Sequence, residues 1–158
     1  MGTLSSEIND LFLMRVTDYR LDTIYNTSGS FVLNEYLEPW LMDAVVEFNE
    51  CDQVLTYTPT SGTTEGSFSV VLSTENKIIL SQIMVKYWMA KSISDVLQMQ
   101  NFVTDRDFKT FSAAQNLQAK KEYYIMKTEE ISQLLNNYGY RKLAWVDWHN
   151  QDFDHRAV

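Results

Sequence analysis

The chain has 158 residues, 45% hydrophobic and 13% aromatic, which is the length of one domain with enough apolar matter for a core and excludes disorder over most of its extent. Five glycines and two prolines are too few for the turns of a sandwich or barrel, so long helices are expected. A net charge of −8 argues against wrapping nucleic acid, and it is unevenly spread: residues 1–76 carry twelve acids against Arg15 and Arg20, whereas residues 77–142 carry ten bases against six acids. Such a split suits copies that stack acidic face to basic face, or two halves that complement each other within one chain.

Along the chain, "MGTLSS" fits the loose N-myristoylation pattern, but Glu7 and Asp10 stand where bases would assist a membrane, so a frayed start before a helix cap is expected. No basic region followed by an apolar stretch marks a secretory leader, and no apolar run approaches a membrane span. Ser5 or Ser6 can cap a first helix, predicted from about Ser6 to Tyr25 on the spacing of Ile8, Leu11, Phe12, Arg15 and Tyr19. "NTSGS" (26–30) reads as a connecting turn. Leu37, Trp40, Leu41, Ala44, Val45 and Phe48 share one stripe and predict a second helix. It is expected to begin near Glu38, with Pro39 in its first turn and 31–37 as a shorter preceding turn.

The only β-like passage is "VLTYT" (54–58) and "SFSVVLS" (67–73), separated by "PTSGTTEG". It predicts a hairpin whose loop, 59–66, is a docking element or mobile. Ser73 then caps a third helix. Its two adjacent rows, Ile79/Ile83/Tyr87 and Leu80/Met84/Trp88, give it broad apolar coverage, so it should lie at the centre and end near Gln100. A fourth helix is predicted from about Asp105 to Tyr138, with Gly139 in the left-handed position after its last turn. At that length it would be roughly 50 Å long and part of it should project or be covered by another subunit. The remaining residues, "RKLAWVDWHNQDFDHRAV", show no regular period and are expected to form an extended tail carrying Trp145, Trp148 and Phe153 among acids.

Chemistry-bearing motifs are missing from the string. It contains neither "GxxxxGK[ST]" nor "GxGxxG" nor "GxSxG". Cys51 is the single cysteine; Glu50 and Asp52 flank it and oppose a thiolate. His149 and His155 are the only histidines, and their segment, "HNQDFDH", lacks a helical spacing that would aim two ligands at one metal. No cofactor and no catalytic activity are expected. In "TDRDFKTFSAAQNLQAK" (104–120), acids and bases crowd beside aromatics. Asp105 and Asp107 suit a helix N-terminus, Lys109 falls four residues after Asp105, and Phe108 and Phe111 share a face beside Arg106. The cluster reads as a helix start with paired charges and an aromatic anchor. The small, polar run that follows suits close packing against another protein or a channel wall.

Three stretches carry a resemblance: "INDLFLMRVTDYRL", "QIMVKYWMAKSISDVLQMQNFVTDRDFKTFSAAQNLQAKKEYY" and "NNYGY". Together they resemble the head–tail connector (adaptor) proteins of tailed bacteriophages across most of residues 6–140. The resemblance implies a mainly α helical bundle at the neck of the virion, made in the host cytoplasm. It implies a homo-oligomeric ring of about twelve copies below the portal protein. Such a ring extends the channel through which packaged DNA slides and docks tail or neck proteins, with no membrane involved. On this reading residues 1–140 form the connector domain, with the hairpin inserted at about 54–73, and 141–158 form a docking tail. Acidic helices 1 and 2 of one subunit would pack on basic helices 3 and 4 of the next. Lys120, Lys121, Arg106, Phe108, Phe111, Trp145, Trp148 and Phe153 are the expected partner-binding residues. The alternative readings are a small helical regulatory or interaction module that dimerises through its fourth helix, and a metal-dependent enzyme that uses the tail.

Overall fold

The computed structural model describes the backbone of residues 2–102 and 110–151, and the side chains of 2–97 and 117–142. The chain runs α1 (Ser5–Leu13), α2 (Tyr19–Glu47), β1 (Tyr57–Thr58), β2 (Ser67–Phe68), α3 (Thr74–Phe102) and α4 (Thr110–Gln151). It is mainly helical with one small antiparallel hairpin, in which Tyr57 pairs with Phe68 and Thr58 with Ser67.

The first helix is shorter than its periodicity suggested. It stops at Leu13, and α2 restarts at Tyr19 with the Asp18 carboxylate accepting the Arg20 N–H at 2.9 Å. Its N-terminal cap also comes from elsewhere. Glu65, from the loop between β1 and β2, accepts the Ser6 N–H at 2.5 Å and the Ser5 hydroxyl at 3.1 Å. A carboxylate placed there satisfies free donors and meets the positive end of the helix.

The start of the chain is not frayed. The Thr3 N–H donates to the Val70 carbonyl at 3.0 Å, the Thr3 carbonyl accepts from Phe68 at 2.8 Å, and the Ser5 N–H donates to Gly66 at 2.9 Å, so residues 3 and 4 lie along the hairpin as a third extended segment that leads into α1. Thr3 is buried and its hydroxyl accepts the Leu72 N–H at 2.8 Å. Thr3→Val keeps the shape but orphans that buried donor. It should destabilise the fold by about 1–3 kcal/mol, read from chemical denaturation, whereas an unstructured start would give no change.

The expected break at 26–30 is present but shorter: within α2 two helical pieces meet at a kink of one non-helical residue, Gly29 (φ 84°, ψ 174°). The Thr23 and Thr27 hydroxyls fold back onto the Tyr19 and Thr23 carbonyls, a bond that tends to bend a helix and here precedes the kink. The second half is continuous and longer than expected, with Pro39 inside it. Pro39 is on the exposed side, where the Glu35 carbonyl it leaves without a donor can meet water. The opposite side buries Leu33, Leu37, Trp40, Leu41 and Ala44, with Phe48 just beyond the last turn.

Helix α3 is central, as its broad apolar coverage predicts: α1, α2 and α4 all pack on it. Ile79, Leu80, Ile83 and Met84 are almost wholly buried. The Ser73 hydroxyl caps its start by accepting the Asn76 N–H at 3.2 Å.

Helix α4 is described from Thr110, its expected start at Asp105 lying outside the described residues, and it does not end at Gly139. At 42 residues it is about 63 Å long. Residues 141–151, expected as extended tail, continue the helix; 152–158 lie outside the described residues. Its buried positions recur every seven residues, Leu117, Tyr124 (half-buried), Ile131 and Tyr138, the repeat with which one helix keeps a seam on another. Gly139 is small for a packing reason. A Cβ there would come within 2.5 Å of a Glu50 carboxylate oxygen. The two glycines therefore predict opposite results. Gly29→Ala forces a side chain into backbone space that glycine alone occupies readily, and should cost about 1–3 kcal/mol. Gly139→Ala meets only the movable end of Glu50 and gains helix propensity, so it should be neutral or stabilising by up to about 1 kcal/mol. Thermal melts of the two variants check both signs.

Candidate docking surface

Among the described residues helix α4 packs chiefly on α3, and what holds it is polar as well as apolar. The turn after α2 places Asp52 against the start of α3 and the last third of α4. The Tyr138 hydroxyl donates to the Asp52 carboxylate, while the Asp52 N–H donates back to the Tyr138 oxygen at 3.1 Å. Lys142 Nζ sits 2.7 Å from Asp52, and Asn76 Nδ2 donates to Asp52 at 3.0 Å and to Gln53 at 2.8 Å. Lys142, Tyr138 and Asn76, in that order, hold the Asp52 carboxyl far below the usual carboxylate range. The same contact raises the Tyr138 phenol well above its usual value, burial first and Asp52 second. Phe48 packs edge-on to Tyr138 at 5.1 Å, and Arg141 reaches Glu75. Burial pushes the neighbouring Cys51 thiol up as well, in keeping with an unreactive role.

Farther along α4, a cleft of about 470 Å³ opens between three elements. Trp88, Met89, Ile93 and Val96 of α3 supply an apolar wall; Tyr19 and Arg20 come from the start of α2, Lys120 and Tyr123 from α4. Arg20 lies 3.4 Å and Lys91 3.6 Å from the Asp95 carboxylate, so two cations share one anion at its edge.

Two outer faces carry exposed apolar side chains. On α2 these are Val32, Tyr36, Met42 and Val46, the last 78% exposed, beside Glu35 and Asp43. On α4 they are Ile125, Met126 and Tyr140, with Lys121 one turn before Ile125, whereas the exposed Tyr123 and Lys120 lie at the cleft. Aromatic and aliphatic groups this exposed on two opposed charge backgrounds are features of contact surfaces.

The charge split along the chain is partly settled internally. Lys77 pairs with Glu7, Lys86 with Glu47, Arg141 with Glu75 and Lys142 with Asp52, each a base of the second half on an acid of the first. Much of the basic half is therefore spent holding α3 and α4 in place, which narrows the expected contact to the first part of α4. Of the expected partner-binding residues, Lys120 and Lys121 are exposed there and Lys120 lines the cleft. Phe111, Trp145 and Trp148 fall on α4, but their side chains, like Arg106, Phe108 and Phe153 entirely, lie outside the described residues. His149 and His155 fall outside too; among the described residues no cluster of His, Cys, Asp or Glu could hold a metal ion. The 59–66 loop, expected to be mobile or to dock, is anchored at both ends. Glu38 accepts the Thr60 N–H and the Tyr57 hydroxyl, each at 2.7 Å, and a tight turn over Gly62 joins Ser61 to Thr64.

Sequence reading missed Asp52, Tyr138, Trp88 and Tyr123 as organising residues. The seven-residue recurrence of Leu117, Tyr124, Ile131 and Tyr138 was the signal that could have revealed the α4 seam and, by subtraction, its outer face. No helix among the described residues is long and apolar enough to cross a membrane. No protein-family description, curated protein or solved structure matches the chain.

Proposed function

We propose that this chain is a structural subunit of the head–tail connector of a tailed bacteriophage, assembling as a ring below the portal and docking tail or neck proteins without catalysis. The observation that carries the reading is α4: a helix of about 63 Å whose inner seam rests on α3 and whose outer face presents Ile125 and Met126 next to Lys121, with the exposed Lys120 at the edge of the cleft. The three stretches that resemble connector proteins include the first third of this helix. In the ring, the acid-edged apolar face of α2 on one subunit would meet the lysine-edged face of α4 on the next, a heterologous contact that can close. DNA would pass through the channel without sequence-specific contact.

Reversing both lysines (Lys120→Glu with Lys121→Glu) should weaken assembly at least tenfold, measured by native mass and sedimentation. Exposed charges contribute little to folding, so the melting temperature should hardly move. Adding Glu35→Lys with Asp43→Lys should restore assembly. A dimer made by α4 against α4 uses the same exposed face and is the rival reading. Its mass would be twice that of one chain, and reversing the acids of α2 would neither harm nor rescue it. A mass that stays monomeric at high concentration and with purified portal protein would remove the connector reading.

A further inference from the structure

The cleft between α2, α3 and α4 and the end of the chain have complementary chemistry, and the geometry keeps them apart within one molecule. The apolar wall of Trp88, Met89, Ile93 and Val96 is edged by Arg20 and Lys120 together with Asp18 and Asp95, and Lys91, outside the lining, adds a third cation beside Asp95. Asp18 is already engaged at the α2 cap, and Asp95 lies between two cations. Asp152, Phe153 and Asp154 place one aromatic ring between two acids. A ring on Trp88 and Ile93, with a carboxylate on either side facing Arg20 and Lys120, would pair each group with its opposite.

Reach decides whose cleft is filled. Lys120 lies 31 residues before Gln151 on one helix, about 46 Å along its axis. Phe153 is two residues beyond Gln151, a step of about 7 Å at full extension. A straight α4 thus ends too far from its own cleft for residues 152–154 to span the gap.

We infer that the cleft lined by Trp88, Ile93, Arg20 and Lys120 is a binding site for the acid–aromatic–acid segment 152–154 of a second copy of this chain. Each copy then both gives and receives a tail, and the contact links neighbours whether the assembly is a connector ring or another oligomer. The inference shares Lys120 with the connector reading, and the rescuing partner tells the two apart: Asp154→Lys for the tail in the cleft, Glu35→Lys with Asp43→Lys for the contact with α2.

The single native cysteine makes the test direct. In a full-length Cys51→Ser background, one protein carries Ser92→Cys, on the cleft wall, and a second carries Asp154→Cys. Mixed under mild oxidation, they should form a disulfide-linked species of twice 18.4 kDa. A Ser132→Cys protein, exposed on α4 away from the cleft, should not cross-link to Asp154→Cys above background. In parallel, Lys120→Glu should weaken self-association at least tenfold and Asp154→Lys in the same chain should restore it; Phe153→Ala should weaken it with no rescue. Cross-linking no better than the Ser132 control overturns the proposal and leaves the segment to another partner, such as the portal. Closure within a single chain carrying both Ser92→Cys and Asp154→Cys at high dilution overturns it in favour of a fold-back tail. Failure of the charge swap to rescue removes the paired charges and the proposal with them.

Discussion

Tyr138→Ala should be among the most damaging single changes in the molecule, destabilising it by about 3–5 kcal/mol. The side chain is fully buried, packs edge-on to Phe48, and exchanges two hydrogen bonds with Asp52. Removal leaves a cavity at the base of α4 and deprives Asp52 of a donor. Tyr138→Phe separates the two effects: it keeps the ring and loses only the hydroxyl, so it should cost about 1–2 kcal/mol, at the low end for a bond to a charged group because Asp52 is partly exposed to water. Hydrogen exchange should locate the loss, with protection falling in residues 117–142 before it falls in α3. Equal loss throughout would mean that α4 is not a separable unit. The pH dependence has a defined sign. Folding lowers the Asp52 carboxyl below its unfolded value of about 3.9. The stability it contributes is fully present above that value and is lost as pH falls through the folded value. The gap in stability between the native protein and Asp52→Asn should therefore be constant from pH 7 to 5 and narrow only below about pH 4. A gap that closes between pH 7 and 5 would assign the effect to another group.

The second large effect is expected at Glu38→Ala, about 3 kcal/mol. Glu38, on α2, accepts from the Tyr57 hydroxyl and the Thr60 N–H, so it ties both the strand β1 and the start of the 59–66 loop to the helix. Burial, followed by Glu38, holds the Tyr57 phenol above its ordinary value, so the hydroxyl stays protonated as the donor. Without the carboxylate, two part-buried donors lose a charged acceptor. The damage should spread to α1, because the same loop carries Glu65 to the start of that helix. Amide exchange of Thr60 and Ser6 should accelerate together. Gly66 has no room for a side chain, since a Cβ would collide with the Tyr57 hydroxyl, so Gly66→Ala should mimic the effect. If Glu38→Ala releases the loop but leaves Ser6 protected, the loop and the α1 cap are independent, and the coupling proposed here is wrong.

The helical class, the hairpin, the cap at Ser73 and the central place of α3 were legible in the sequence because each is signalled by residues within about a dozen positions of one another. Broad apolar coverage on α3 can be satisfied only by partners on several sides, and that is what it has. What failed was decided by distant residues. Ser5 reads as a helix cap, but Glu65, sixty residues on, supplies it. Residues 2–5 read as frayed because their partners, Phe68, Val70 and Leu72, are on the hairpin. Gly139 reads as a helix end, yet Tyr138 and Lys142 on either side are held in helical geometry by Asp52, from the turn after α2. The docking surface divides in the same way. Composition and charge order determined that an acidic half and a basic half exist, and that lysines open the fourth helix. Which lysines are spent inside the molecule and which remain on its surface is a matter of distance across helices, and only the packing of α1, α2 and α4 around α3 decides it.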